Sequence, residues 1–398
     1  MKFEDIQLPA FTKVIPDFAL NVCVIVPVKD EASNLRATLD SLCTQLHVNG
    51  NRIDYRSYEV LLLINNSTDD SLQIASDFKH DHPGFGLIIA DLVLPAELAN
   101  IGTVRRLLMN EAYRRFSFLK RNHGIIASID GDTVADKYWL YHIRKEIKAG
   151  NDAVGGLISI KGKAGSADRA YLRDKQYRNL LTEVEQLLFP QANDPLPRHF
   201  HFFGANMAVT SEYYHKSGGV PNVDCLEDMA FHAALLRCDA RIRRSPQVKV
   251  VTSTRFDGRV AVGFSEQLKK WSQDTEDRVP QIVENSELHI YSCFIKNTLH
   301  TTWKNREAGC SYKLIEDIAT SLGVPADWLN AQLTTHEFFG AFWETTWHAS
   351  TMRQRYQPAF EPIQSAIKKL RNFMQNPVFN ASQINLTDIF QHGNMSSV

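Results

Sequence analysis

Short apolar runs without polar alternation punctuate the first third of the chain: Val22–Val28, Val60–Ile64, Gly86–Ala90 and Gly124–Ile129. Runs of this kind fit strands buried on both faces, as in a parallel sheet. Between them the apolar positions fall at helical spacing. Leu35, Leu39 and Leu42 mark one helix, Leu72, Ile74, Ala75 and Phe78 another, and a basic helix is expected over 103–120. Strands alternating with helices at this interval predict right-handed βαβ units and a mostly parallel sheet. Ligands of such sheets bind beyond the carboxyl ends of the strands, so the residues just after each strand carry the chemical interest.

Past Gly156 the rhythm changes. Asp168 to Phe189 reads as one long helix, stopped by Pro190, Pro195 and Pro197. Phe202–Val209 and Val248–Val251 read as further strands, and from about Val279 the remaining apolar positions are helix-like. The expected division is an α/β domain over 1–279 and a mainly α-helical C-terminal region over 280–398.

Composition narrows the class. The chain has 398 residues with 44 basic against 45 acidic side chains, a net charge of −1. That balance argues against a nucleic-acid binder working by bulk charge and against a polybasic membrane-surface protein. The six cysteines are scattered with no C-x-x-C spacing, which suits reduced thiols better than zinc or a disulfide framework. The N-terminal residues lack the apolar core of a signal peptide, and no apolar stretch approaches the roughly 18 residues needed to span a bilayer. A cytoplasmic protein with no transmembrane segment is expected.

Chemistry concentrates at Ile129-Asp130-Gly131-Asp132-Thr133, directly after a buried strand. Residues i and i+2 of an extended segment point to one side, so Asp130 and Asp132 can face one ligand together. Two carboxylates this close call for a compensating cation, such as Mg2+ or Mn2+ bridging substrate phosphates. The bland alternative is a turn, because Asp and Gly are common turn residues. Arg105 and Arg106 open the basic helix, where an anion is favoured, although a solvated helix face would read the same way. No P-loop or G-x-G-x-x-G is present, which disfavours ATPases and ordinary dinucleotide enzymes.

The order of these segments resembles the family 2 glycosyltransferases over about residues 20 to 272. Val24–Glu31 is similar to the family's opening strand ending in P-x-Y-N-E, and Ile64–Asp69 to its D-D-G-S-T-D segment. Ile129–Thr133 stands where the D-x-D lies. Gly204–Ala208 with Gly218–Pro221 and Glu227-Asp228 resembles the acceptor-side block, and Gln267–Trp271 the Q-x-x-R-W element of some members. The resemblance implies the GT-A fold: an α/β, Rossmann-like domain with a mostly parallel central sheet, here followed by a C-terminal helical extension. It implies a metal-dependent transfer of a sugar from a nucleotide-diphosphate donor to a hydroxyl acceptor, with inversion favoured.

Roles follow residue by residue from that likeness. Pro27, Val28, Glu31 and Asn65 would line the nucleotide, with Asn65 replacing a family aspartate, so that UDP- and GDP-sugars both stay open. Asp132 would bind the divalent metal, and Asp130 the ribose or the same ion. Arg105, Arg106, Arg255 and Arg259 are candidates for the diphosphate, with surface salt bridges as the plain alternative for the last two. Gly204, Ala205, Asn206, Glu227 and Trp271 would lie on the acceptor side. Asp228 would be the general base, though a helix cap fits it too. Lys270 stands where Q-x-x-R-W has arginine, and with no spanning segment a processive synthase is disfavoured.

His199 and His201 are candidates for a third metal ligand, against a structural role. The aromatic tail (Trp328, Phe338, Phe339, Phe342, Trp343, Trp347) suits a helical core better than a sugar platform. For the C-terminal region three roles stay open: a lid over the acceptor, a homodimer contact, or a cover for the sheet edge. Two rival functions remain: a non-catalytic nucleotide-sugar-binding scaffold, and a sugar nucleotidyltransferase, whose glycine-rich triphosphate loop the segment after Pro27 lacks.

Overall fold

The structure is a computed structural model that describes residues 3, 6–162, 165–253, 264–308, 311–355 and 358–375. In chain order its elements begin with α1 (Pro9–Thr12), β1 (Val22–Val28), α2 (Leu35–Cys43), β2 (Tyr58–Asn65), α3 (Ser71–Asp81), β3 (Leu87–Leu92) and α4 (Ile101–Phe118). Next come β4 (Ile125–Ile129), β5 (Thr133–Ala135), α5 (Trp139–Lys148), β6 (Ala153–Ile160) and α6 (Asp168–Leu188). Then follow β7 (Asn206–Thr210), α7 (Ser211–Lys216), α8 (Glu227–Arg237), β8 (Ile242–Thr252) and α9 (Phe264–Glu276). The last are β9 (Ile282–Glu284), α10 (Ser286–Lys304), α11 (Tyr312–Leu322), α12 (Ala326–Thr335), α13 (Phe339–Ala349), α14 (Met352–Arg355), β10 (Phe360–Pro362) and α15 (Ile363–Gln375).

Two compact units result, each drawing on separated stretches of chain. The first comprises Met1–Lys163, Pro197–Leu235 and Ala240–Gln267; the second comprises Ala164–Leu196, Leu236–Asp239 and Leu268–Val398.

The first unit is built on an eight-stranded sheet in the order β3-β2-β1-β4-β7-β6-β8-β5. The β3-β2-β1-β4 half is parallel, β7 runs antiparallel between β4 and β6, and β6 and β8 are again parallel. This is the α/β, mostly parallel, Rossmann-like sheet expected of a GT-A domain. β1, β2 and β4 are buried along their whole length, as their uninterrupted apolar sequences predict. Val22, Val24 and Val26 pack with Leu35, Leu39 and Leu42 of α2 on one face. Helix α4 covers β1 and β2 on the other.

The basic run on α4 is only partly a solvated face, with Arg114 exposed but Arg105 and Arg115 buried. Arg115 is wholly buried and forks onto Glu59 of β2, with Nε donating to Oε1 at 2.6 Å and Nη2 to Oε2 at 2.5 Å. Its Nη1 donates to the Val14 and Phe11 carbonyls, pinning the N-terminal segment to the sheet. The five described cysteines are free thiols, and Cys310 lies outside the described residues.

Strand β6 was not expected. It carries the pair Gly155-Gly156, where a Cβ at Gly155 would strike the His201 carbonyl and one at Gly156 the Asn206 amide. The glycines are there because other backbone and side chains press against the strand. The strand expected from Phe202 starts only at Asn206, and the one expected at Val248–Val251 extends over Ile242–Thr252.

The second unit is mainly helical. Val184 of α6, Ile295 and Leu299 of α10, Ile318 and Leu322 of α11, Phe342 of α13 and Leu370 of α15 share one core. Phe339 and Phe342 are buried there, and the Phe342 ring stacks on Trp303 at 5.0 Å between centroids. These two serve packing, as expected. The unit also holds an antiparallel ribbon of β9 and β10, too short for its sequence to announce.

A pH-dependent contact closes that ribbon. Buried Glu361 accepts from the Ser286 N–H at 2.9 Å and hydroxyl at 2.6 Å, and pairs with Lys369 at 3.2 Å. Burial alone would raise its carboxyl, but the Ser286 bonds and Lys369 outweigh burial and hold it below the usual range. A carboxylate lowered in the folded state stabilises above its unfolded value, and that contribution is lost as pH falls through the folded value. Wild type should therefore melt above Glu361→Gln at neutral pH, with the gap closing below about pH 4. A gap independent of pH would refute this.

Candidate active site

The loops after β1 and β2 are stitched to each other. Asp30, at φ +48°, accepts from the Thr68 N–H at 2.7 Å and donates its own N–H to Ser67 Oγ at 2.9 Å. Glu31 N–H reaches Ser71 Oγ at 2.8 Å, and Ala32 N–H reaches Asp69 Oδ2 at 2.8 Å. Short polar side chains of this type tolerate the left-handed backbone and satisfy loop amides locally. Pro27, Val28, Glu31 and Asn65 are all buried beside this stitched edge.

Gly131 joins that edge to the next strand. A Cβ there would lie 3.1 Å from Val28, 3.2 Å from Glu31 and 3.2 Å from the Pro27 carbonyl. Its own carbonyl accepts from Thr38 Oγ1 at 2.9 Å. A side chain at 131 would make these neighbours yield by a few tenths of an ångström, so glycine suits the close approach of the Asp130–Asp132 segment to β1.

Three carboxylates and one arginine then form a connected cluster. Arg105, only 3% exposed, donates through Nη2 to Asp130 Oδ1 at 2.7 Å and through Nη1 to buried Glu227 Oε1. Its Nε donates to Ser128 Oγ at 3.3 Å, and Ser128 Oγ donates to the Gly204 carbonyl at 2.7 Å. Gly204 N–H in turn donates to Asp228 Oδ2 at 3.0 Å. Leu226, at φ +57°, directs the chain into the Glu227-Asp228 pair, a left-handed conformation costly for a leucine.

The electrostatics leave negative charge in excess. Burial pushes the Asp130 carboxyl above the usual carboxylate range; Arg105 opposes this, and Asp132 and Asp228 add to it. Such undercompensation is the condition that a divalent cation relieves. Asp132 accepts hydroxyl hydrogen bonds from Ser253, from Thr133 at 3.2 Å and from Thr252 at 3.4 Å. Among the described residues no three His, Cys, Asp or Glu converge on a metal position. The donor set therefore fits an ion held by one or two carboxylates, with substrate oxygens and water completing its shell.

Other expected site residues are placed differently. Asn206 is fully buried: Trp139 Nε1 donates to its Oδ1 at 2.8 Å, and its Nδ2 donates to the Leu157 and Val248 carbonyls at 3.1 Å. Every polar group of that side chain is used inside the sheet, so it has none left for an acceptor. Arg105 faces the carboxylates rather than an open diphosphate position, and Arg106 lays its guanidinium 4.3 Å from the Phe3 ring. His199 and His201 bond to the Ser245 carbonyl at 3.1 Å and the Ile158 N–H at 3.0 Å, which are structural contacts. Trp271 is buried on α9 in the second unit. Arg255 and Arg259 lie outside the described residues.

Sequence reasoning missed Ser128, Thr252 and Ser253. Ser128 had a signal, as the one polar residue in an otherwise apolar strand next to Asp130. The hydroxyls at 252 and 253 had none, since only the sheet register brings them to Asp132.

Comparison with known proteins follows the same line. Residues 23–216 match the model of Glycosyl transferase family 2; Glu227-Asp228 and Trp271 lie beyond the match. No curated protein matches the chain. Among solved structures it resembles the mannosyltransferase PcManGT from Pyrobaculum calidifontis in complex with GDP-Man and Mn2+, at 16% identity and TM-score 0.44, over 97% of this chain and 92% of that one. It also resembles S. aureus TarS 1–349 in complex with UDP-GlcNAc, at 16% identity and TM-score 0.44, over 84% and 92%. A third is glucosyl-3-phosphoglycerate synthase from Mycobacterium tuberculosis with Mn2+ and UDP-Glc, at 14% identity and TM-score 0.35, over 67% and 80%. Likenesses this remote transfer neither donor nor metal. Among the described residues no helix is long and apolar enough to cross a membrane. By the family match, residues 23–216 of this chain form a glycosyltransferase domain of family 2.

Proposed function

We propose that this protein transfers a sugar from a nucleotide-diphosphate donor to a hydroxyl acceptor, with a divalent cation and with inversion at the anomeric carbon. One observation carries the reading: Asp130, Asp132, Glu227 and Asp228 gather beyond the carboxyl end of β4, where sheets of this class hold ligands. In this reading Asp132, with Asp130, would hold Mn2+ or Mg2+, an ion that when bound would supply positive charge against the charge developing on the leaving diphosphate.

The chain's own residues supply the rest. The stitched loops around Pro27, Val28 and Glu31, with Asn65, form a pre-set cradle for the nucleotide; the uncharged amide of Asn65 accommodates a UDP- or GDP-sugar. Asp228 takes the proton of the acceptor hydroxyl, whose oxygen then attacks the anomeric carbon opposite the diphosphate. The N–H groups of Gly204 and Met229, at 3.0 and 2.8 Å, orient the two oxygens of that carboxylate for the task. Gly204 and Ala205 border the acceptor.

Calorimetric titration with UDP-Glc, UDP-GlcNAc and GDP-Man, with and without Mn2+, tests the reading together with release of UDP or GDP. Binding strengthened by Mn2+ and followed by diphosphate release is expected. Asp132→Ala should lower the Mn2+-stimulated release on the order of 10²-fold. Stimulated release that survives this change would sink the metal assignment, and binding without any turnover would favour a scaffold.

A further inference from the structure

Arg105 is a single guanidinium shared by the two sides of the candidate site. Its partners come from different elements: Ser128 and Asp130 at the end of β4, and Glu227 at the start of α8. Through Ser128 it also reaches Gly204, whose N–H holds Asp228. A Cβ on Gly204 would run into the guanidinium, so that glycine is shaped around the arginine. At 3% exposure Arg105 presents almost no surface to a ligand.

We propose that Arg105 is a positioning residue for the transfer, fixing the donor-side Asp130 and the acceptor-side Glu227-Asp228 at one spacing instead of gripping the donor diphosphate. This rests on the glycosyltransferase reading above. A displacement needs the attacking oxygen in line with the anomeric carbon, and an error of 1 Å in such geometry costs about 10²-fold in rate. The planar fork sets a distance and an angle between two carboxylates at once. Lysine keeps the charge but has no fork.

The test is steady-state release of UDP or GDP from whichever of UDP-Glc, UDP-GlcNAc and GDP-Man the wild type turns over, with Mn2+ present. Arg105→Lys should lose about 10²-fold in kcat, with the donor KM unchanged within about twofold. A diphosphate-gripping arginine would give the reverse: a raised donor KM with kcat held. The double variant Arg105→Lys/Glu227→Gln should be no slower than the slower single variant within about twofold, because both break one link. Multiplying losses overturn the proposal. Melting curves identify any variant that does not fold. If Arg105→Lys is one, Glu227→Gln decides: a kcat loss at constant donor KM supports the proposal, and wild-type kcat overturns it. Active wild type with variants of wild-type kcat refutes this proposal alone. A wild type that turns over none of the three donors refutes the glycosyltransferase reading, and the proposal with it.

Discussion

Asp228→Asn should lower turnover by about 10² to 10⁴-fold, the range for losing a general base. Donor affinity should stay close to that of wild type. The amide keeps the size of the carboxylate and one oxygen for the Gly204 N–H, so the Ser128-Gly204 chain survives while proton acceptance is lost. The measurement is kcat alongside calorimetric binding of the donor. An Asp228→Asn protein that turns over at the wild-type rate would reduce Asp228 to a helix cap. A protein that loses donor binding as well would move its role to the donor.

The largest structural effect is expected at Glu59. Replacing it with alanine leaves Arg115 buried without its hydrogen-bonded carboxylate and with only Glu111 at 3.8 Å, which Arg114 already forks, a loss of about 3–5 kcal/mol. The same change frees the segment held through the Val14 and Phe11 carbonyls, because the fork on Glu59 orients the guanidinium toward them. Replacing both partners, Glu59→Leu with Arg115→Met, should cost much less than Glu59→Ala, since no charge is then stranded. Urea unfolding of the three variants reads this directly. A Glu59→Ala protein within about 1 kcal/mol of wild type would mean that the pair is solvated, as exposed pairs are.

Much of the first unit was legible because its strands announce themselves. Val22–Val28 and Ile125–Ile129 lack alternation because both faces are covered, and their ends point to Asp130 and Asp132. The β6 strand was hidden by Gly155-Gly156, whose missing side chains are an adaptation to neighbours that a sequence window cannot see. Nothing local marks Arg115 as buried within the basic helix expected over 103–120, because its partner stands on β2, far away along the chain. Arg105 has the same history. Its place at the opening of a helix suggested an anion, and only the approach of α8 to α4 reveals that the anions are the protein's own carboxylates. Local spacing thus found the groups that carry charge, and distant pairing determined which of them are committed to each other.

The register Thr133↔Thr252 has a consequence for folding order. The hydroxyl surroundings of Asp132 depend on β5 meeting the far end of β8, and this contact closes a loop of more than one hundred residues. Closure over such sequence separation is entropically late, whereas β1, β2 and β3 pair over short separations, Val22 with Tyr58 and Val60 with Leu87. Asp132 should therefore gain its partners after these three strands have paired. A nascent chain not yet extended to Thr252 would hold β4 and both aspartates, but not the environment of the second one.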